Sequence, residues 1–409
     1  MAIIEYDLLI IGGGAAGFFA AVNAARLAPG KRIAILEKTN KILSKVRVSG
    51  GGRCNVTHAC FDPRELWKFY PRGGKELRGA FSRFNPNETI EWFEARGVEL
   101  KTEEDGRMFP VTDDSATIVN CLLSEAHRYN VEVLMQHEVV SIEKKDSLFL
   151  LQIENGKTMR CKKLLIASGG HAKSAAYDFI AQTGHRIIPP VPSLFTFNMP
   201  RNPVIRLMGV SVENALVKIE GTSIETGGPL LITHWGMSGP AVLKASAWGA
   251  RELAEKNYQF TAVISWLPGK KDEALKEMFA DLKMTYAARQ LYTTSFAQLP
   301  KRLWHFLLEK AGIYDELRWA DLSKKESNKL VETLLRDRYE VSGKTTFKEE
   351  FVTCGGVALD EVDMKTMESR KLPGLFFAGE VLDIDGVTGG FNFQAAWTEG
   401  WLAANAMAV

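Results

Sequence analysis

The chain has 409 residues, 46% hydrophobic and 24% charged, a balance that excludes a disordered or fibrous protein and predicts two to three domains. Fifty-one lysines and arginines against 49 acidic residues leave a net charge of +2, too weak a field to demand nucleic acid or an acidic membrane. Glycine is in slight excess at 35 residues, and where those glycines fall is more informative than their number.

Residues 6–11 (YDLLII) form a short, continuous apolar run that reads as a buried strand. The turn Gly12-x-Gly14-x-x-Gly17 follows, and Ala15–Leu27, rich in alanine, reads as a helix. Residues 32–36 are a second strand, ending at Glu37. Strand, glycine turn, helix and strand in this order build a parallel sheet. The first glycine permits a tight turn, the second admits a pyrophosphate to the backbone, and the third lets helix pack on strand. Ala15 and Ala16 open the helix, whose N-terminus offers free N–H groups and a positive dipole end. Glu37, 20 residues after Gly17, is placed to bond an adenosine ribose and disfavours a 2′-phosphate. FAD or NAD therefore fits better than NADP. An ordinary glycine turn would not need this complete setting. The same stretch, 8–28, is neither a signal peptide nor a membrane span. Glu5 and Asp7 precede it, and it contains Asn23, Arg26 and three consecutive glycines.

Lys38, Lys41, Lys45 and Arg47 lead into Ser49-Gly50-Gly51-Gly52-Arg53-Cys54-Asn55. Glycines let backbone amides approach a ligand closely, and the basic run can neutralise a pyrophosphate. The plainer alternative is a solvated basic loop. Residues 64–84 then interleave Arg64, Lys68, Arg72, Lys75, Arg78 and Arg83 with Trp67, Phe69, Tyr70, Phe81 and Phe84. Basic groups among aromatics suit nucleic acid. A helical segment with buried aromatics and a solvated basic face explains them as well, and the small net charge favours it.

Further along, 87–96 and 116–129 read as helices, and 98–102, 131–134, 139–144, 149–154 and 159–167 as strands. Val139 heads one of these, and the last ends in Ala167-Ser168-Gly169-Gly170. Five prolines from Pro189 to Pro203 signal a linker or crossover. Strand-like runs return at 210–220, 230–233 and 258–266. Residues 270–340 hold one glycine, Gly312, and one proline, Pro300, and are expected to be helical. Residues 346–354 and 375–378 read as strands, and 391–407 as a final helix.

The C-terminal region decides between the dinucleotides. Phe376-Phe377-Ala378-Gly379-Glu380 reads as a strand ending in an acid, and Gly386 to Gly390 open the last helix at Phe391 and Asn392. A helix N-terminus there would stabilise negative charge on a reduced flavin, and Glu380 would accept from ribityl hydroxyls. A simple NAD dehydrogenase needs no second motif of this kind, whereas FAD stretches across its domain. The cofactor set is thus Gly12, Gly14, Ala15, Ala16, Gly17, Glu37, Lys38, Lys45, Gly51, Gly52, Arg53, Cys54, Asn55, Val139, Ala167, Ser168, Gly169, Gly379, Glu380, Gly389, Gly390, Phe391 and Asn392. No second Gly-x-Gly-x-x-Gly appears, so NADH or NADPH would dock only transiently.

Five cysteines, Cys54, Cys60, Cys121, Cys161 and Cys354, repeat no spacing. They predict no disulfide framework, no zinc site and a reducing, cytoplasmic setting. Nothing in the sequence specifies an oligomeric state.

The chain resembles the bacterial NAD(P)/FAD-dependent oxidoreductases that include aminoacetone-oxidase-like flavoproteins. The resemblance rests on Gly12 to Gly17, Ser49 to Thr57 (SGGGRCNVT), Thr233 to Leu243 (THWGMSGPAVL) and Gly355 to Gly390 with Phe391, Asn392 and Gln394. It implies an α/β fold with noncovalent FAD: a Rossmann-like FAD-binding domain (1–188 with 350–409), an inserted β-barrel-like substrate domain (189–268 with 341–349) and a helical domain (269–340). The chain departs from the family after Gly170, where residues 171–183 replace the usual Ser-x-Pro and Gly-x-Thr-Gly-Asp-Gly stretch. A loop near the flavin is therefore remodelled.

Candidate chemistry falls to His234 as a proton donor or acceptor near neutral pH, with His171 a weaker candidate. A His that merely holds its loop explains either. Cys54 and Asn55 extend the cofactor loop towards the flavin ring. The sequence thus predicts an FAD-dependent oxidoreductase that transfers a hydride to or from a small organic substrate, by amine oxidation or NAD(P)H-linked reduction. Flavin-dependent reduction of a uridine base in RNA is an alternative, because members of the wider group are linked to RNA modification. A non-catalytic flavin-binding protein is another.

Overall fold

The computed structural model describes residues 4–346 and 352–409. The chain forms two compact units: one from the N-terminal part up to Ser193 together with the C-terminal part, the other spanning Leu194–Thr346.

The first unit is built on the expected parallel core. The strand Ile4–Ile11 pairs in parallel with Ile33–Glu37 on one side and Thr158–Ile166 on the other. Glu132–Met135 and Leu375–Phe377 extend the parallel set outwards. All of Ile33 to Leu36 and Leu375 to Phe377 are buried, as continuous apolar runs in a doubly covered sheet must be. Val139–Lys145 and Leu148–Ile153 form a hairpin that joins the sheet antiparallel. The helix Ala15–Leu27 packs beside the C-terminal helix Phe391–Ala408, and Phe18, Phe19 and Trp397 are fully buried there. Chain ends far apart in sequence thus complete one layer.

Two expectations change. The proline-rich stretch is not a linker throughout: Ile187–Pro192 is a strand paired with Thr353–Val357. Its register shifts between Ile188 and Val191, which places the N–H-less Pro189 and Pro190 in an irregularity rather than in the ladder. The strand expected over 346–354 is observed from Thr353, and residues 347–351 lie outside the described part.

The second unit is an antiparallel sheet with helices. Ser211–Ile219, Glu225–Thr233, Gln259–Ser265 and Asp337–Ser342 are antiparallel neighbours, with Pro240–Trp248 laid against them. The expected helical stretch contains Asp272–Thr285, Lys301–Ala311 and Lys324–Leu335. Its last residues, from Asp337, are instead a strand that alternates buried and exposed side chains. Trp266, Trp304, Trp319 and Tyr339 share one core with Val217, Ile264 and Leu334, so sheet and helices bury each other. Among the described residues, no helix is long and apolar enough to cross a membrane, and no cluster of His, Cys, Asp and Glu could hold a metal ion.

Candidate cofactor and active site

The glycine turn sits where three strand ends meet. Gly12 donates its N–H to the Leu36 carbonyl at 2.8 Å, and its φ of 113° belongs to glycine. A Cβ on Gly12 would lie 2.2 Å from the Ala167 carbonyl oxygen, and one on Gly17 would lie 2.0 Å from the Gly12 carbonyl oxygen. A Cβ on Gly14 would meet nothing within 4 Å. The first and third glycines therefore serve close packing, and the second leaves its side of the turn open. Glu37 accepts from the Gly13 N–H at 3.0 Å and from both Thr39 donors at 2.8 Å, which holds its carboxylate at the edge of this opening. The His137 N–H bonds the Glu37 carbonyl at 2.9 Å, bringing Val139 to the same strand end.

The second glycine motif follows a short helix, Ser44–Gly52, whose helical geometry breaks at Ser49. Gly50, Gly51 and Gly52 are all left-handed, and Cβ atoms on the last two would meet open space. Backbone donors are exposed there without side chains to cover them. Lys38 is exposed, while Lys45 reaches Glu380 at 2.5 Å. Glu380 also accepts from the Thr353 N–H at 2.8 Å. Beside this pair, Ser168 Oγ and Thr353 Oγ1 are buried with no hydrogen-bond partner, and Gly169 is open. Buried hydroxyls are rarely left unpaired. Two of them around an open glycine turn form a cradle suited to the hydroxyls and phosphates of FAD, so the residues present fit that cofactor.

At the other end, Gly390 caps the helix Phe391–Ala408 at φ 95°. The Asn55 side chain accepts from the Gly390 N–H at 3.0 Å and donates to the Thr57 carbonyl at 3.0 Å. Asn392 spends both ends of its amide on Gly386. Both asparagines position the turn, and what the turn presents to a ligand is backbone. Phe391 is buried and stacks on His58 at 4.5 Å and on Phe69 at 4.4 Å between ring centroids. Gly379 is left-handed, so its amide turns inwards and donates to Glu399.

Three expected side-chain roles change. Arg53 bonds Glu103 at 2.5 Å and lies 3.9 Å from the Phe109 ring centroid, so its guanidinium secures the loop. Cys54 is wholly buried, and burial pushes its thiol up to about 12. A thiol held that high carries no thiolate at neutral pH, and Cys54 is a packing residue. His171 lies edge-on to Tyr177, and burial, with Lys38 and Lys45 nearby, lowers it to about 4. It is neutral at physiological pH. His234 lies in the second unit, exposed and edge-on to Trp235 at 4.1 Å, beside the buried and unpartnered Thr233 Oγ1.

The basic aromatic segment resolves as structure. Arg64 pairs with Asp62, Lys68 with Glu65 and Arg72 with Asp385, while Tyr70, Phe81 and Phe84 are buried. Sequence reading passed over three residues near these turns. His58 directly follows SGGGRCNVT, and its Nδ1 meets the Gly389 carbonyl at 2.9 Å. Asp385, inside the C-terminal motif, is wholly buried and shared between Arg72 and Ser193. Glu399 is the lone acid of an apolar helix.

Known proteins place this geometry. Residues 6–406 match the family profile described as the HI0933-like protein Rossmann domain. A ribosomal RNA dihydrouridine synthase of Escherichia coli is 33% identical over 98% of this chain and 97% of its own. A 3-dehydro-bile acid delta(4,6)-reductase of Clostridium scindens is 28% identical over 98% of each chain. The crystal structure of a 3-ketosteroid dehydrogenase from Rhodococcus jostii shares the fold, with a TM-score of 0.53 at 15% identity over 99% of this chain and 97% of its own. The chain belongs to the HI0933-like Rossmann-domain family of flavoproteins.

Proposed function

We propose that this FAD-dependent oxidoreductase reduces the C5=C6 bond of a uracil base in RNA, with NADH or NADPH as electron source. The observation that carries the reading is the 33% identity to a ribosomal RNA dihydrouridine synthase along practically the whole of both chains. An intact cofactor cradle supports it: the open Gly14, the Lys45–Glu380 pair and the unpartnered Ser168 and Thr353 hydroxyls. FAD, when bound, would supply the hydride-transfer chemistry between the nicotinamide and the substrate. The balance is uridine, NAD(P)H and one proton giving dihydrouridine and NAD(P)⁺, with the hydride going to C6 and the proton to C5.

The protein's own part is binding, orientation and the proton. Glu37 and Val139 fit the adenosine end; Lys38, Lys45, Gly51 and Gly52 the phosphates; Glu380 the ribityl chain. Asn55 and Asn392 hold the Gly386–Gly390 turn, whose helix N-terminus favours negative charge on the ring system. His234 is the proposed proton source, because an exposed imidazole can serve as a general acid towards a bound base.

Purified holoenzyme, mixed anaerobically with NADPH and unmodified ribosomal RNA, is expected to bleach its flavin and then recover colour as dihydrouridine forms. Mass spectrometry detects the product as a gain of two hydrogens per modified uridine. No dihydrouridine with any ribosomal RNA overturns the reading. His234→Ala is expected to leave bleaching unchanged and to slow reoxidation by RNA on the order of 10²-fold or more. An unchanged reoxidation rate removes His234 from the role. Reduction of a double bond in a small conjugated ketone is the second reading, favoured by the 28% identity to the bile acid reductase.

A further inference from the structure

If RNA is the substrate, something must hold its backbone, and most cations of the segment that sequence alone singled out are already engaged. In 64–84, Arg64, Lys68 and Arg72 are tied to acids and Arg83 donates to the Lys365 carbonyl, which leaves Lys75 and Arg78 as its exposed cations. The second unit offers a different place. A cavity of about 490 Å³ opens where the strand Gln259–Ser265 runs through Pro268 and Gly269 into the helix Asp272–Thr285. Its charged lining is Lys270, Lys271, Lys276 and Arg336 against Asp272 and Glu273.

The charge count favours an anion. Four cations and two carboxylates leave an excess of two, equal to the excess of the whole 409-residue chain. Arg336 and Asp272 neutralise each other through two bonds of 2.8 Å, which holds the Asp272 carboxyl below its usual range. Lys276 adds to the charge around Asp272, Lys270 and Lys271 are exposed beside Glu273, and none of the three lysines has an ion-pair partner among the described residues. Gly269 is left-handed, and a Cβ there would meet nothing within 4 Å, so backbone as well as side chains is accessible. Lysine ammonium groups are mobile point charges that suit phosphate oxygens without demanding a fixed orientation. Contacts of this kind position a nucleic acid and do not read its sequence.

We propose that this pocket, through Lys270, Lys271 and Lys276, grips the phosphodiester backbone of the RNA whose uridine is reduced. The inference rests on the uridine reading above and locates its partner on the inserted unit. A strand phosphate is held by charge there while base selection occurs elsewhere.

The test compares FAD-loaded wild type with the triple variant Lys270→Gln, Lys271→Gln, Lys276→Gln. All three lysines are exposed, so folding is expected to survive, and an unchanged melting profile confirms it. The probe is an unmodified ribosomal RNA transcript titrated at several salt concentrations. The variant is expected to bind at least about tenfold more weakly at low salt, with a slope of log affinity against log salt shallower by about two, at ~0.7 per lost phosphate contact. Flavin bleaching by NADPH is expected to be unchanged. A second variant, Lys75→Gln with Arg78→Gln, removes exposed cations of the basic aromatic segment and is expected to bind RNA as wild type does. Unchanged affinity and slope in the triple variant, with wild type still making dihydrouridine, overturns the pocket alone. Slower bleaching by NADPH assigns the lysines to the nicotinamide's phosphates and also overturns it. Wild type that leaves the transcript unreduced overturns the functional reading instead.

Discussion

Glu399 occupies an apolar stretch of the C-terminal helix with no exposed surface. One carboxyl oxygen accepts from Gly379, and the other has no partner. Burial is the dominant influence and pushes this group up to about 8, from 4.5. Below pH 4.5 folded and unfolded chains both hold the proton, and nothing is lost. Between 4.5 and about 8 the unfolded chain releases the proton while the fold retains it, so this residue's contribution to stability falls as pH rises and levels off above that window. Thermal melts across that window should show wild type losing several degrees more than Glu399→Gln, since one pK unit corresponds to about 1.4 kcal/mol. Equal slopes for the two proteins would disprove a neutral buried Glu399. Sequence reading missed this residue because a lone acid in an apolar helix shows neither which side it faces nor that Gly379 waits there. Arg53 was named for the cofactor, and Cys54 for cofactor and chemistry, because they extend the glycine loop. Phe109 and the Glu103 carboxylate, which claim the Arg53 side chain, come from a different segment.

At the scale of the element, the glycine turn was legible in full. Its strand, helix and second strand lie within two residues of where apolar runs and composition put them. The three glycines also separate by task. Gly14→Ala adds a methyl in open space at an ordinary φ of −94°, so the FAD-free protein should melt as wild type. The methyl lies where a pyrophosphate would approach, so FAD affinity should fall tenfold or more, on the order of one to two lost hydrogen bonds to charged groups. Gly17→Ala drives a methyl into the Gly12 carbonyl and should cost about 1–3 kcal/mol of folding stability besides FAD. Melting and flavin-fluorescence titration of the two variants check this. Equal melting losses would mean that Gly14 also serves packing. The linker expectation failed at the same scale. Prolines mark a break in local pairing, but Ile187–Pro192 pairs with Thr353–Val357, more than 150 residues away, and the bulge absorbs the missing donors.

At the scale of the molecule, the proposed FAD site gathers short stretches from both chain ends: 12–17, 37–55, 167–170, 379–380 and 389–392. Hydrogen exchange should read this directly. Amides of these stretches are expected to gain protection together on adding FAD to stripped protein, by about 2.7 kcal/mol at a hundredfold excess over Kd where exchange follows unfolding of the site. Protection limited to 12–17 would mean that the C-terminal turn is no part of the site. The second unit shows how far composition carries. A glycine-poor stretch rich in Leu, Lys, Glu and Ala did contain long helices, but Asp337–Ser342 became a strand because Gln259–Ser265 offered a free edge.

The sequence by itself determined the parallel cofactor fold, the dinucleotide motif and its acid, and the return of the C-terminus to the N-terminal domain. Those features depend on local rules: which residues tolerate a tight turn, which bury on both faces of a strand, and which open a helix. The tertiary structure alone decided which charged and polar side chains are free to act. It tied Arg53, Arg72 and Asn392 to partners, buried Cys54, left the Ser168 and Thr353 hydroxyls without a partner among the described residues, and kept the 270–276 lysines exposed. The reason is physical: a backbone conformation is largely set by its neighbours in sequence, whereas a side chain's partner and burial are set by whatever the fold brings beside it.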